Sequence, residues 1–253
     1  VNTPRFHCSM PLAPARVVDL PESVAHHASR VLRLRRGDAL TLFNGDGGEY
    51  TARILAIERA RVSAEILQWL DCERESALAV TFVQALQAGE KMDSTIQKAV
   101  ELGVRRIVPV VSRRSVLRLD GERAMRRLQH WRGVIAAACE QCGRNRLPEI
   151  VAPESLDRWL TRPPEATVVR LMLAPAAESC LASLPGVPSG GAVELLIGAE
   201  GGLAAEEREL AESTGFVPVR LGPRILRTET AGLAAIAAIQ LLWGDFKEET
   251  TNV

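Results

Sequence analysis

A chain of 253 residues, 47% of them hydrophobic, can bury a real core in one large or two modest domains, and its 31 basic and 31 acidic side chains give no bulk attraction to a polyanion. No apolar run is long enough to span a bilayer and the opening VNTPRFHCSM lacks the hydrophobic segment of a signal peptide, which excludes a membrane-spanning class and leads to the expectation of a cytoplasmic protein. Five cysteines (Cys8, Cys72, Cys139, Cys142, Cys180) form an odd set that argues against a disulfide framework.

In chain order, Arg5 to about Asp71 reads as short strands and turns, with helical signal only at Glu22–Arg30. Asp38–Phe43 and Glu49–Ile54 flank the turn-forming Asn44-Gly45-Asp46-Gly47-Gly48, which predicts a β-hairpin. A strand follows these glycines where a nucleotide-binding turn needs a helix, so they are not a phosphate loop. Arg61–Ile66 predicts a further strand, and residues 1–72 together resemble a small barrel. After the polar stretch Asp71–Ser76 the pattern changes to strands alternating with helices, the mark of a mainly parallel sheet with helical cover, so the second domain spans residues 73–253. Strands are predicted at Leu78–Leu86, Arg106–Val111, Thr167–Leu173, Val193–Ile197 and Phe216–Leu221. Helices are predicted at Lys91–Leu102, Gly121–Cys142, Leu203–Thr214 and Thr228–Trp243. In the second helix Ala124, Leu128, Trp131, Ile135, Ala138 and Cys142 recur every three or four residues and leave Arg123, Arg126, Arg127 and Arg132 on other faces. The last helix is apolar nearly all round, which implies burial on every side or a subunit interface.

Charge is unevenly placed. Between Val104 and Arg146 there are eleven arginines and three acidic residues, and only three of the 31 basic residues in the chain are lysines. Guanidinium groups grip phosphate bidentately and stack on bases, which suits RNA, although genomic base composition produces the same bias. Cys139-Glu140-Gln141-Cys142 has C-x-x-C spacing but lies within a predicted helix and has no matching second pair, so helix packing is its default role and no metal is expected.

Two glycine-bearing turns follow strands of the second domain. Gly198-Ala199-Glu200-Gly201-Gly202 departs from the G-x-G-x-x-G dinucleotide fingerprint, which argues against a nicotinamide cofactor. Leu221-Gly222-Pro223-Arg224-Ile225-Leu226 leads into the polar cluster Arg227-Thr228-Glu229-Thr230, in which Thr228 is positioned to cap the last helix. In an open α/β sheet ligands bind at the carboxyl ends of strands, where both turns fall. Glu206, Glu207 and Glu209 open the helix after the first turn and read as structural.

The segments LLIGAEGGL, LGPRILRTETA, KMDSTIQKAVELGV with the following IVPVVSRRSV, and AACEQCGRNRLPEI together resemble the RsmE group of SPOUT-superfamily methyltransferases, and HHASRVLRLRRGD resembles that group's PUA-like RNA-binding domain. The resemblance covers nearly the whole chain. It departs at one position, since the usual Gly-Pro-Glu-Gly-Gly loop carries Ala199 in place of proline, which loosens the turn without removing a ligand group. What the resemblance implies is an α/β fold, with a small PUA-like β-barrel at residues 1–72 followed by a mainly parallel sheet with helices on both faces and a trefoil knot at its carboxyl end. It also implies homodimers and methylation at N3 of one uridine in 16S ribosomal RNA, with S-adenosylmethionine as donor. By resemblance the donor lies across the loop after Leu171–Leu173, the Gly198–Gly202 loop and the Leu221–Thr228 loop, touching Leu173, Gly198, Glu200, Gly201, Gly202, Leu221, Gly222, Ile225, Leu226 and Thr228.

Methyl transfer to an imide nitrogen requires removal of the N3 proton, alignment, and stabilisation of negative charge on the uracil oxygens. Arg227 is the candidate for charge stabilisation, and either Glu229 or Glu140 for proton removal. Either carboxylate has a structural alternative, pairing with Arg227 or Arg144. For RNA, His26, His27, Arg30, Arg33, Arg35 and Arg36 concentrate positive charge before Gly37-Asp38, and Arg113, Arg114 and Arg118 extend it into the second domain. With aromatics at 4% of the chain, binding is expected to depend on phosphate contacts and to weaken steeply with salt. The rival readings are a related methyltransferase acting on another ribosomal or transfer RNA position, and a non-catalytic assembly factor.

Overall fold

The computed structural model of the chain describes residues 3–58, 61–116, 121–163, 168–187 and 190–247. Its two compact units are Val1–Glu75 with Ala136–Leu147, and Ser76–Ile135 with Pro148–Val253. The boundary placed after residue 72 follows chain order and so has no place for the Ala136–Leu147 segment, which joins the first unit through packing.

The first unit is built on β1 (Arg5–His7), β2 (Val17–Asp19), β3 (Ala39–Phe43), β4 (Glu49–Glu58) and β5 (Arg61–Leu70), in the sheet order β1-β3-β4-β5-β2. Only β1 and β3 pair in parallel. Alternation in β5 buries Val62, Ala64 and Ile66 and turns their neighbours outward, the period of two expected of a half-buried strand. Two register shifts in the β4–β5 ladder are the bulges that let so long a hairpin bend around its core. Phe6, Leu40, Leu42 and Ile54 fill that core, and Val24, Ala25 and Ala28 cover it from α1 (Glu22–His26) and the π-turn His27–Val31 that continues it. Strands β1 and β2 lay beyond sequence reading because three residues carry too little alternation to be recognised.

An ionic cluster holds the two segments of this unit together. Arg5 pairs with Glu49 and donates from Nη2 to Asn145 Oδ1 at 2.6 Å, Arg74 Nη1 reaches Glu49 at 3.2 Å, and Arg144 pairs with Glu75. Burial pushes the Glu49 carboxyl up, but the hydrogen bonds and charges of Arg5 and Arg74 outweigh burial and hold it below its ordinary value. Burial pushes the Cys8 and Cys139 thiols up to about 12, so neither is a thiolate at neutral pH.

The second unit is a parallel sheet of β6 (Ala79–Ala85), β7 (Arg106–Val111), β8 (Glu149–Ile150), β10 (Val168–Leu173), β11 (Ala192–Ile197) and β12 (Val217–Val219), in the order β12-β10-β11-β6-β7-β8, with β9 (Glu154–Ser155) also on β7. Its helices are α2 (Lys91–Glu101), α3 (Gly121–Cys142) as far as Ile135, α4 (Leu156–Leu160), α5 (Ala205–Ser213) and α6 (Thr228–Trp243). Successive side chains of β6 point to opposite faces. Val83 and Ala85 join a core with Trp159 of α4 and Ala211 of α5, whereas Phe82 and Gln84 meet Gly232 and Thr228 of α6. Both faces are therefore covered, and β6 and β7 read as near-continuous apolar runs for that reason. The elements β8, β9 and α4 and the 3₁₀ turn Leu181–Ser183 were not expected, being too short for a periodic signal. Thr167, expected to begin β10, lies outside the described residues.

One sequence expectation is corrected and, for the last helix, one of two alternatives is removed. Strand β12 stops at Val219 instead of Leu221, because Arg220 leaves the sheet and exchanges backbone hydrogen bonds with Ser179 and Leu181. Helix α6 is not buried on every side within the chain, since Ala234 is exposed and Leu241 is 58% exposed, while Ala235, Ile236 and Ile239 face inward. Among the described residues no helix is long and apolar enough to cross a membrane.

Candidate functional site

Because β10, β11 and β12 run parallel, the chain leaves the sheet at one edge after Leu173, Ile197 and Val219. The segments that follow line one cavity of ≈ 590 Å³. Leu173 comes to it from β10, and Gly198, Glu200, Gly201 and Gly202 from the loop after β11. Leu221, Gly222, Ile225, Leu226 and Thr228 come from the segment between β12 and α6, so the structure brings all ten expected donor contacts to one place.

The glycine loop is a closed turn. Gly202 N–H donates to Ala199 O at 2.8 Å, and a Cβ on Gly198 would stand 2.8 Å from the Gly202 carbonyl carbon, so the loop folds this tightly only with glycine there. The turn closes without the proline of the resemblance. Gly222 adopts φ +75° beside open space, which presents bare main chain where a side chain would otherwise stand. Behind the loop, Thr228 Oγ1 donates to Gly198 O at 2.6 Å and accepts from Gln84 Nε2 at 3.3 Å. Thr228 is therefore not the cap of α6. That position belongs to Arg227, whose side chain makes no capping bond, and the Thr228 hydroxyl instead ties the last helix to the end of β11.

Arg227 is exposed and Glu229 half-buried on the cavity wall. Glu229 Oε1 lies 3.7 Å from Lys91 Nζ, and its Oε2 is buried with no hydrogen-bond partner. The same ammonium is 3.4 Å from Glu200 Oε1. Arg114 Nη1 donates to Gly201 O at 2.7 Å, which places this expected RNA contact on the glycine loop. The lining holds six basic residues, Lys91, Arg114, Arg208, Arg220, Arg224 and Arg227, against the two acids Glu200 and Glu229. Such a wall favours an anionic partner. Sequence reasoning missed Lys91, although a lysine in an arginine-dominated chain was a signal. It also missed Gln84, a fully buried amide within an apolar strand.

The remaining candidates lie elsewhere. Glu140 does not line the cavity; its Oε1 accepts from His7 N–H at 2.9 Å within the first unit. His26, His27, Arg30, Arg33, Arg35 and Arg36 are all exposed on α1, the π-turn and the loop after it, together with the exposed apolar side chains Val31 and Leu32. His27 sets its ring edge-on to Phe6 at 5.6 Å yet is exposed, so it is not packed inside. Arg113 is exposed between Glu206 at 3.6 Å and Asp157 at 3.8 Å, and its N–H donates to the buried Glu207, which also accepts from Ala204 N–H at the start of α5. Arg118 lies outside the described residues. Cys139 is buried and Cys142 half-buried, and among the described residues no group of three or more His, Cys, Asp or Glu gathers to hold a metal.

Known proteins place this arrangement in context. A family described as RNA methyltransferase domain matches residues 74–240, and one described as RNA methyltransferase PUA domain matches residues 20–67. Ribosomal RNA small subunit methyltransferase E of Buchnera aphidicola subsp. Schizaphis graminum is 36% identical over 242 residues, spanning 96% of this chain and 97% of that protein. The Bacillus subtilis protein of the same name is 32% identical over 230 residues, spanning 87% and 90%. The crystal structure of ribosomal RNA small subunit methyltransferase E from Neisseria gonorrhoeae bound to S-adenosyl methionine is similar with a TM-score of 0.92 and 41% identity, covering 97% of this chain and 100% of that one. With a cavity at the carboxyl ends of a parallel sheet, an amino-terminal β-unit and likeness along almost its entire length, the chain belongs to the RNA methyltransferase family that includes ribosomal RNA small subunit methyltransferase E.

Proposed function

We propose that this chain methylates N3 of one uridine in the 16S RNA of the small ribosomal subunit, with S-adenosylmethionine as donor. The observation that carries the reading is the convergence of three strand-end segments on one cavity, in a family whose Neisseria gonorrhoeae member binds that donor. The cavity suits the donor on two counts. Bare main chain at Gly202 and Gly222 lets a ligand lie against the backbone, and Glu229 brings a carboxylate to the cavity wall. When bound, the donor supplies an electrophilic methyl carbon on a positively charged sulfur, which departs as a neutral thioether.

The chain's own part is to hold, orient and neutralise. Leu173, Ile225 and Leu226 give apolar walls, and the two glycine segments give main-chain hydrogen bonds. The Glu229 carboxylate takes the N3 proton of the uracil, leaving the electron pair on nitrogen, and Arg227 steadies the negative charge that spreads to the carbonyl oxygens. Thr228 acts from behind by fixing Gly198. Glu140, engaged by His7, has no part in this reading. The exposed residues His26, His27, Arg30, Arg33 and Arg35 contact RNA phosphates, as does Arg113, while Arg114 joins the RNA face to the glycine loop. We read the return of residues 221–227 across the end of β10 as the threaded segment of a trefoil knot. A second copy covers the exposed face of α6 around Leu241, and the work is done in the cytoplasm, where ribosomes are assembled.

The test supplies methyl-labelled S-adenosylmethionine with unmodified small subunits, free 16S transcript or transfer RNA, and identifies the labelled nucleoside. The expected product is 3-methyluridine in small-subunit RNA. Label confined to transfer RNA, or carried on another atom, overturns the specificity; no label in any RNA favours an assembly factor.

A further inference from the structure

Lys91 Nζ stands between two carboxylates that belong to different segments, 3.4 Å from Glu200 Oε1 in the glycine loop and 3.7 Å from Glu229 Oε1 in the first turn of α6. Lys91 itself opens α2, so one ammonium links three elements around the cavity. Half-exposed ion pairs of this kind add little to folding, and their value lies in orientation. Three features say what is being oriented. The ammonium engages Oε1 of Glu229 and so holds that carboxylate at the cavity wall, while Oε2 is buried without a hydrogen-bond partner. Without a cation between them, two like charges would share one cavity wall and turn apart. And in a chain where all but three of the 31 basic residues are arginine, this position is lysine. A compact ammonium serves two carboxylates from separate directions, whereas a guanidinium fork matches one carboxylate bidentately.

We propose that Lys91 is a positioning residue, holding Glu200 and Glu229 so that Glu229 presents its carboxylate to the N–H of the base being methylated. The proposal rests on the reading of Glu229 as proton acceptor and deepens it. In this role Lys91 acts on the reaction through Glu229, so its removal is read through that carboxylate.

The experiment measures, on the full chain, S-adenosylmethionine affinity by calorimetry, thermal midpoint, and kcat on unmodified small subunits at saturating donor, for K91M, K91R, E229Q and the double variant K91M/E229Q. K91M is expected to keep its midpoint and donor affinity and to lose about tenfold to a hundredfold in kcat, the scale of a misplaced catalytic group. K91R recovers part of that loss, and the double variant is no slower than E229Q alone, because a positioner has nothing to position once Glu229 is gone. Wild-type kcat in K91M, a loss confined to donor affinity, a fall in midpoint that accounts for the loss, or effects that multiply in the double variant each overturn the role given to Lys91. A fully active E229Q removes the proton-acceptor reading and this inference with it, whereas an inactive E229Q beside an unaffected K91M overturns the inference alone.

Discussion

Two charge clusters in this chain pair cationic with anionic side chains under opposite conditions of exposure. In the first unit Arg5, Glu49 and Arg74 meet around a Glu49 side chain only 10% exposed, and every charge there has a protein partner. At the cavity Lys91, Glu200 and Glu229 are 43%, 34% and 27% exposed, and one carboxylate oxygen is left without a partner. A buried pair cannot lose one member without stranding the other in low dielectric, so it fastens segments together. A half-exposed pair can be rearranged by a ligand at little cost, so it is suited to a binding site.

The largest effect expected from breaking this contrast is at Arg227, whose guanidinium lines the cavity and caps nothing. Arg227→Ala should lower kcat by about 10²–10³-fold, the range for losing one donor to a developing oxyanion, while calorimetric donor affinity stays near wild type. Equal loss of donor binding would make Arg227 part of the donor pocket instead.

Next in size is Glu49. Glu49→Ala strands Arg5 and should cost about 3 kcal/mol of stability in chemical denaturation, with the loss in the first unit. The pH dependence follows from the depressed carboxyl. Folded, Glu49 holds its proton less tightly than unfolded, so its contribution is complete above the ordinary carboxylate value and disappears as pH falls toward the lower folded value. Glu49→Gln should flatten that acid-side slope, and a wild-type slope in the variant would show that Glu49 does not carry it.

The two clusters also differ in how far they could be read from sequence. The glycine turns and the Arg227–Thr230 cluster stood out because turn chemistry and strand ends are local signals, and the boundaries of β7, α3 and α6 matched because α3 has a long periodic run while polar residues bracket the apolar runs of β7 and α6. Partners far apart in the chain were not legible. Arg5 meets Asn145, and Glu140 meets the His7 backbone, across more than 130 positions, so the second segment of the first unit left no trace in composition. Thr228 was read as a cap for the same reason, since its real partners, Gly198 and Gln84, are fixed only when β11 and β6 come together in the sheet.

Thr228 also yields a smaller, sharper test. Thr228→Val keeps the shape of the side chain but leaves Gly198 O and the fully buried Gln84 amide each short of one partner. The expected cost is about 1–2 kcal/mol. Since the bond fixes the glycine loop, part of that cost should appear as weaker donor binding in calorimetry. Unchanged affinity together with a lowered thermal midpoint would confine Thr228 to folding.

The smallest effect belongs to a control within the first unit's own sheet. Arg53 Nη2 and Glu65 Oε2 pair across β4 and β5 at 2.9 Å, a better distance than Arg74 makes with Glu49, yet their side chains are 53% and 37% exposed. If distance governed the worth of an ion pair, Glu65→Ala would rival Glu49→Ala. If burial governs it, Glu65→Ala should cost under about 1 kcal/mol in the same denaturation experiment, and even that should fade in high salt, because water and ions already screen the pair. The Glu49 loss should persist at the same ionic strength, since Glu49 and its partner Arg5, 10% and 15% exposed, are shielded from counterions. Matching losses and matching salt responses at the two sites would mean that exposure is not what separates the charges that fasten this fold from those that line its cavity.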